Sequence, residues 1–217
     1  YRPGQGACAR GTMIFTTGAS NSKQYAGVGN SSLTDGFFFG YSGTAFGIFY
    51  INNSSETHIP QSTWNVDVMD GSNSSSNPSG MNLDVTKGNV WQIKYQYLGF
   101  GCIYFYIEHD TDGEFTLVHV IRYPNSATST SLSNPSLNLL WRVVNTTNTS
   151  NIVLKAGSGA LFLEGICQFI GPKNAIDNNK SSITTLTNIL TLKNATSYNT
   201  VTNRGQVRVR SVDRKST

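Results

Sequence analysis

Four carboxylates crowd one short stretch of the chain: Glu108, Asp110, Asp112 and Glu114. Paired carboxyls are the equipment of glycoside hydrolysis, which needs them on opposite sides of the scissile bond at a defined separation. Here they flank Asp110-Thr111-Asp112-Gly113, a turn sequence between two alternating segments. They therefore read as a solvated hairpin tip and not as the walls of a cleft. Asp110-x-Asp112-Gly113 also holds two oxygen ligands and the glycine of a calcium loop, but the remaining ligands, the closing Glu and the flanking helices are missing. His58, His109 and His119 are the only histidines, and neither a Gly-x-Ser-x-Gly elbow nor a Cys-His motif accompanies them. Cys8, Cys102 and Cys167 are widely spaced with no CxxC pair, so no zinc site is expected. One disulfide with a free thiol and three buried reduced cysteines both remain open. Gly99-Phe100-Gly101 lacks the Lys-Ser/Thr and the helix of a phosphate loop. The expectation is a protein with no catalytic residues, no metal and no cofactor.

Aromatic residues are the more informative set. Trp91, Tyr95, Tyr97, Tyr104, Tyr106 and Trp141 have the chemistry of a sugar-stacking face. They fit an inter-sheet core or a subunit contact equally well, and the residue pattern does not choose. Glycosylation acceptor sequences occur at Asn30, Asn52, Asn53, Asn73, Asn145, Asn148, Asn179 and Asn194, all in expected loops. Asn and Ser favour loops in any case.

These side chains need strands to position them. Three consecutive segments alternate apolar and polar residues: Val90 to Leu98, Cys102 to Glu108 and Phe115 to Tyr123. A period of two sends alternate side chains to opposite faces of a strand. Gly99-Phe100-Gly101 and Asp110 to Gly113 supply turn chemistry between them. The central reading is an antiparallel three-strand meander. Upstream, Thr12 to Thr17 reads as a strand, and Phe37 to Tyr41 with Phe46 to Ile51 as a hairpin across Ser42-Gly43-Thr44. Thr63 to Val68 alternates and is expected to be a strand. Tyr1 to Gly11, Gly18 to Gly36 and Asn52 to Gln61 read as loops, and Gly71 to Gly80 as a flexible tip. Downstream, Leu137 to Val144 and Ile152 to Ala156 form an expected hairpin, and Ala160 to Ile170 a strand. Ile183 to Lys193 fits a strand or a short helix, and Gln206 to Val212 an edge strand with Arg208 and Arg210 on one face.

Ten or more short strands with no convincing helix between them predict an all-β chain: an antiparallel, jelly-roll-like β-sandwich with long polar loops. The domain reading is a main sandwich over 1–171 and a smaller β element over 172–217. Charged residues make up 13% of the chain, and β-branched and aromatic residues are plentiful. The net charge of +4 lies wholly in the last segment, in Arg204, Arg208, Arg210, Arg214 and Lys215 against Asp213. Residues 1–203 balance to zero, so a nucleic-acid-binding body is not expected. No apolar run is long enough for a membrane span, and no leader pattern opens the chain.

A series of motifs falls in order along the middle of the chain: Trp64-Asn65-Val66-Asp67, Met69-Asp70-Gly71, Pro78-Ser79-Gly80-Met81, Leu83-Asp84 and Thr86-Lys87-Gly88-Asn89-Val90. Tyr95-Gln96-Tyr97-Leu98-Gly99-Phe100-Gly101 and Leu117-Val118-His119 continue it. The series resembles virion structural proteins of large DNA viruses and tailed phages, over residues 37–165. The tract Ser72 to Asn77 is longer than that group's usual turn. The resemblance implies a non-enzymatic component of the virion: a penton, spike, fibre or minor capsid protein. Its implied partners are other virion proteins, further copies of the chain and host surface glycans. The alternative is a lectin-like, carbohydrate-binding β-sandwich.

Overall fold

The computed structural model describes residues 5–97 and 99–164, together with 181–182, 184–185, 196–198 and 201–202. The chain divides into two compact units, Tyr1–Cys167 and Gln168–Thr217. In the second unit the described residues include one two-residue ladder, β11 (Ser197–Tyr198) against β12 (Val201–Thr202). Gln206 to Val212, Cys167, Asn179 and Asn194 lie outside the described residues, and Ile183 to Lys193 is described only at 184 and 185.

The first unit is a sandwich of two five-stranded antiparallel sheets. Sheet I runs β10 (Leu154–Leu163), β1 (Gly6–Phe15), β6 (Asn89–Gln96), β7 (Ile103–Glu108), β8 (Phe115–Ile121). Sheet II runs β5 (Ser55–Pro60), β4 (Ala45–Asn52), β3 (Gly36–Ser42), β2 (Ser22–Gly29), β9 (Asn138–Asn145). The chain starts in sheet I, lays down the β2 to β5 meander in sheet II, returns for β6 to β8, and then places β9 and β10 on opposite sheets. Strands remote in sequence thus become neighbours, as in the expected jelly-roll-like sandwich. The one helical turn among the described residues is a 3-10 turn at Gln61–Thr63.

The inner faces meet in an aromatic mesh. Phe39 packs on Trp91 at 4.7 Å between centroids and on Phe105 at 5.4 Å, while Phe15 and Trp91 both contact Phe46. Ile48, Ile93, Ile103 and Ile107 fill the remainder of this buried layer. Sheet II carries a second apolar layer on its outer side. Tyr25, Phe38, Phe49 and Ile51 are buried there, with Leu33, Leu140 and Val144 packed on them. Glycines make the floor of this layer: a Cβ on Gly29 would sit 2.2 Å from the Phe38 ring and one on Gly36 2.5 Å from it.

That floor explains the main correction to the sequence reading. Gly18 to Gly36 is not one loop, since Ser22–Gly29 forms β2, buried along nearly its whole length between β3 and β9 in sheet II. Its glycines replace apolar residues of the alternation because the Phe38 ring lies across Gly29, and the Phe37 carbonyl and Phe38 Cα of the adjacent strand leave no room for a Cβ on Gly27. Gly6 to Gly11 likewise belongs to β1, where Ala7 and Ala9 point inward. The expected loop Asn52 to Gln61 holds the polar edge strand β5. Leu137 to Val144 and Ile152 to Ala156 do not form a hairpin: β9 pairs with β2 and β10 with β1. Ile152 to Ala156 and Ala160 instead belong with one continuous strand, β10, over Leu154–Leu163. The central meander and the Phe37 to Ile51 hairpin form as expected.

Thr63 to Val68 is not a strand. It lies along the outer edge of β8, where the amide N–H groups of Val66 and Asp67 both donate to the Val118 carbonyl. Asn65 substitutes its side chain for a ladder partner: Nδ2 donates to the Val120 carbonyl at 2.9 Å and Oδ1 accepts from the Val120 N–H at 2.9 Å. The edge of sheet I is thereby closed at this point without a further strand.

Packing this close sets a prediction. A Cβ on Gly40 would fall 1.7 Å from the Gln24 carbonyl oxygen of the adjacent strand, whereas one on Gly88 meets open space. Gly40→Ala is expected to cost about 2–3 kcal/mol in urea unfolding, because backbone must move to admit it. Gly88→Ala should stay within about 0.5 kcal/mol of the parent.

Candidate functional site

The six candidate aromatics do not converge. Trp91 and Tyr95 face inward and are core residues, 1% and 8% exposed, and burial pushes the Tyr95 hydroxyl up to about 12. Tyr97 is half-buried and donates to the Leu132 carbonyl at 3.3 Å. Trp141 sits at the open edge of the sandwich on β9, 37% exposed, with its indole against Gly159 of β10. Tyr104 and Tyr106 remain together. Alternate residues of β7 share a face, and these two point outward while Ile103, Phe105 and Ile107 point into the core.

The outer face of sheet I is built around that pair. The Tyr104 and Tyr106 rings lie 6.5 Å apart with 29° between their planes. Register places Lys94 beside Tyr104 and Gln92 beside Tyr106, with Cys8 and Arg10 next in line on β1. The Lys94 ammonium sits 5.4 Å from the centre of the Tyr106 ring. Arg10 lies across β6: its Nε donates to Gln92 Oε1 at 2.8 Å, and its guanidinium carbon is 4.5 Å from the centre of the Phe115 ring. A hydrogen bond with Cys102, reinforced by burial, raises the Tyr104 hydroxyl, and burial raises that of Tyr106. Both phenols therefore stay neutral and keep their hydrogen-bonding hydroxyls at physiological pH. Sequence reasoning found the two tyrosines but missed Arg10, Gln92, Lys94 and Phe115. The alternation of β6 carried the signal for Gln92 and Lys94. Arg10 was hidden by reading the start of the chain as a loop.

One gap, between Trp141, Trp91 and Met13, opens about 10 Å³ to a water-sized sphere, and another, beneath Tyr95, Tyr97 and Leu161, about 20 Å³. Each has room for about one water. No three His, Cys, Asp or Glu side chains among the described residues gather at a metal-sized site.

The carboxylate cluster forms the β7–β8 turn. The Asp110 and Asp112 side chains are 66% and 62% exposed. His109 is tied into the turn, with Nδ1 2.8 Å from Thr111 Oγ1 and Nε2 3.4 Å from the Ser79 carbonyl. His119 is buried and its Nδ1 accepts from the Asn65 N–H at 3.2 Å. His58 lies against Phe49 with its Nε2 buried and unpartnered, and burial lowers its pKa.

The motif series has a structural explanation. Asp67 is wholly buried and accepts from the Met69 N–H and the Ser79 N–H, both at 2.9 Å. Asn77 is wholly buried too, and its amide donates to Asp70 Oδ1 and the Met81 carbonyl. The tract Gly71 to Gly80 is therefore a stapled loop and not a flexible tip. Of the glycosylation candidates, Asn53 and Asn73 are exposed with no side-chain hydrogen bond recorded for their amides. Asn30, Asn52, Asn145 and Asn148 donate their amides to Thr34, Thr130, Ser150 and Ser20 respectively.

Two expectations follow. Asp67→Ala leaves two buried N–H groups unmet and should cost about 2–4 kcal/mol, while Asp110→Ala, Asp112→Ala and Glu114→Ala should each stay within about 0.5 kcal/mol in the same urea titration. Burial, with Arg122 adding to it, lowers the His119 pKa from 6.5 to about 4. The unfolded chain then binds the extra proton first, so this contribution is complete above pH 6.5 and is lost as pH falls towards 4. The loss is on the order of 3 kcal/mol. His119→Asn should flatten the stability profile across that window, and an unchanged slope would contradict this account.

No protein-family model matches the chain, and no curated protein matches it. Among solved structures it is similar to botulinum neurotoxin type C, whose cell entry is described as dependent upon interaction with two ganglioside molecules. That match has a TM-score of 0.40 and 13% identity, over 73% of this chain and 32% of that one. A botulinum neurotoxin serotype D/C binding domain matches at TM-score 0.35 and 12% identity, over 74% and 32% of the two chains. A structure described as a receptor binding domain matches at TM-score 0.37 and 14% identity, over 73% and 32%. This chain spans about a third of those chains, and similarity at this level carries no assignment of function.

Proposed function

We propose that this chain is a non-enzymatic, glycan-recognising β-sandwich whose binding surface is the outer face of sheet I. The observation that carries the reading is the pair of partly exposed rings, Tyr104 and Tyr106, on the outward face of β7 beside the cations Lys94 and Arg10. An aromatic ring packs against the C–H face of a pyranose while neighbouring hydroxyls, amides and cations meet the sugar's polar groups. A second reading makes the same face the host-attachment surface of a virion component. The ordered motif series favours it, and so does the apolar edge formed by Trp141, Val143, Val153 and Leu163, each 37–47% exposed. Other virion proteins or further copies of the chain would cover that edge.

A glycan array probed with the intact chain tests the first reading. Binding should fall on the order of tenfold for Tyr106→Ala and further for the double variant with Tyr104→Ala, as lost stacking of about 1–1.5 kcal/mol per ring implies. An array with no bound glycan, or binding indifferent to both changes, overturns it. Release of shortened products, abolished by Glu108→Gln, would make the chain a hydrolase instead. For the second reading, sedimentation at micromolar concentration should show self-association that Val143→Asp weakens, and a clean monomer with no affinity for particle proteins would refute it.

A further inference from the structure

The sandwich body is acidic, yet its one open sheet face holds cations with no carboxylate partner. Residues 5–164 contain seven basic and ten acidic side chains. Eight of the acids, Asp35, Asp67, Asp70, Asp84, Asp110, Asp112, Glu114 and Glu164, lie outside the strands. Lys23 is paired with Glu56 at 2.5 Å on sheet II. Arg10 and Lys94, on the outer face of sheet I, have no carboxylate within 4.0 Å among the described residues. Glu108 shares the outward parity of Tyr104 and Tyr106 and pairs with Phe115, and Glu164 lies beyond β10 near Cys8, yet neither carboxylate comes within 4.0 Å of the two cations. Arg122, after β8, adds a positive potential felt at Tyr104.

Both cations are held in place by something other than a counter-ion. Lys94 rests over the Tyr106 ring and Arg10 over Phe115. The Gln92 bond engages only Nε of Arg10, so the guanidinium is oriented while the edge bearing its two terminal nitrogens stays available. That edge offers parallel N–H donors in the geometry a carboxylate accepts bidentately. Gln92, which orients it, is itself only 2% exposed, roofed by its neighbours.

We propose that this face selects acidic sugars, with Arg10 and Lys94 binding the carboxylate of a glycan whose ring stacks on Tyr104 and Tyr106. The proposal rests on reading the face as a glycan surface and adds the charge of the ligand. Single-stranded nucleic acid also combines anionic groups with stacking rings, but it needs a positive groove that follows successive phosphates. Two cations on a net acidic body do not make one.

The experiment compares oligosaccharides identical except that a terminal carboxylate is free or converted to its methyl ester, titrated calorimetrically into the intact chain. The free acid should bind at least tenfold more tightly at low salt, and added salt should shrink the preference. Arg10→Gln should remove most of the preference, lowering affinity for the free acid far more than for the ester. Lys94→Gln, whose ammonium lies over the Tyr106 ring, should reduce the preference too and serves if the Arg10 variant fails to fold. Lys87→Gln, an exposed loop cation, should change nothing. Equal binding of acid and ester overturns the proposal and leaves the glycan reading standing. No binding of either form overturns both. Tighter binding of a sulfated analogue than of the carboxylate, or of a single-stranded oligonucleotide than of either sugar, also overturns it.

Discussion

The contact of Phe39 with Trp91 is the joint on which the rest depends. It couples the centre of sheet II to the middle strand of sheet I, and through Phe105, Phe15 and Phe46 the same mesh reaches the strands on either side. Rings crossing at 51° to 89° fill the space between sheets without stacking flat, the edge-on geometry that aromatic quadrupoles favour. Because these side chains occupy the inward parity of β6 and β7, the outward parity is fixed as well. Lys94, Tyr104 and Tyr106 face solvent because Trp91, Ile93, Phe105 and Ile107 cannot. A one-residue slip of β7 would bury the tyrosines and expose three core residues.

The two sheets use their outer sides differently, and this singles out a site. Sheet II covers itself: Tyr25, Phe38 and Phe49 pack edge-on and tilted against one another, with Phe38 over Gly29 and Gly36, and Glu56 fastens the layer by accepting from the Tyr25 hydroxyl at 2.7 Å and from Lys23. Aromatic area there is spent on stability. Sheet I keeps its outer rings partly exposed and interleaves them with amide and cationic groups. Of two faces built from the same residue types, only that of sheet I leaves rings and hydrogen-bonding groups together within reach of a ligand.

Much of this architecture was legible because alternation is a direct record of a one-sided sheet. The β6 to β8 meander and the β3–β4 hairpin were read at nearly their observed bounds for that reason. β2 was not, because glycines pressed against a neighbouring strand leave no alternation to read. The pairing of β9 and β10 with different sheets was equally hidden, since a short polar connection looks the same whether it joins two partners or crosses a sandwich. Thr63 to Val68 misled in the opposite direction. Its alternation is genuine, but Asn65 and Asp67 use their side chains to bond backbone, which removes the segment from the ladder it imitates.

The candidate site divides along the same line. Choosing Tyr104 and Tyr106 over Trp91 and Tyr95 requires knowing which parity faces the second sheet, and that is a tertiary fact. The motif series between Trp64 and Leu83 shows the converse. Its polar residues look like chemistry but are consumed internally: the Asp67 carboxylate by two amides, Asn77 by Asp70 and Met81, and Asn65 by β8. A polar group whose hydrogen bonds are met inside the fold has little left to offer a ligand. Arg10 and Lys94 differ because rings hold them, and a ring satisfies a cation only in part. What separates a staple from a recognition group on this surface is therefore the unused bonding capacity of the residue, and the residue type alone does not reveal it.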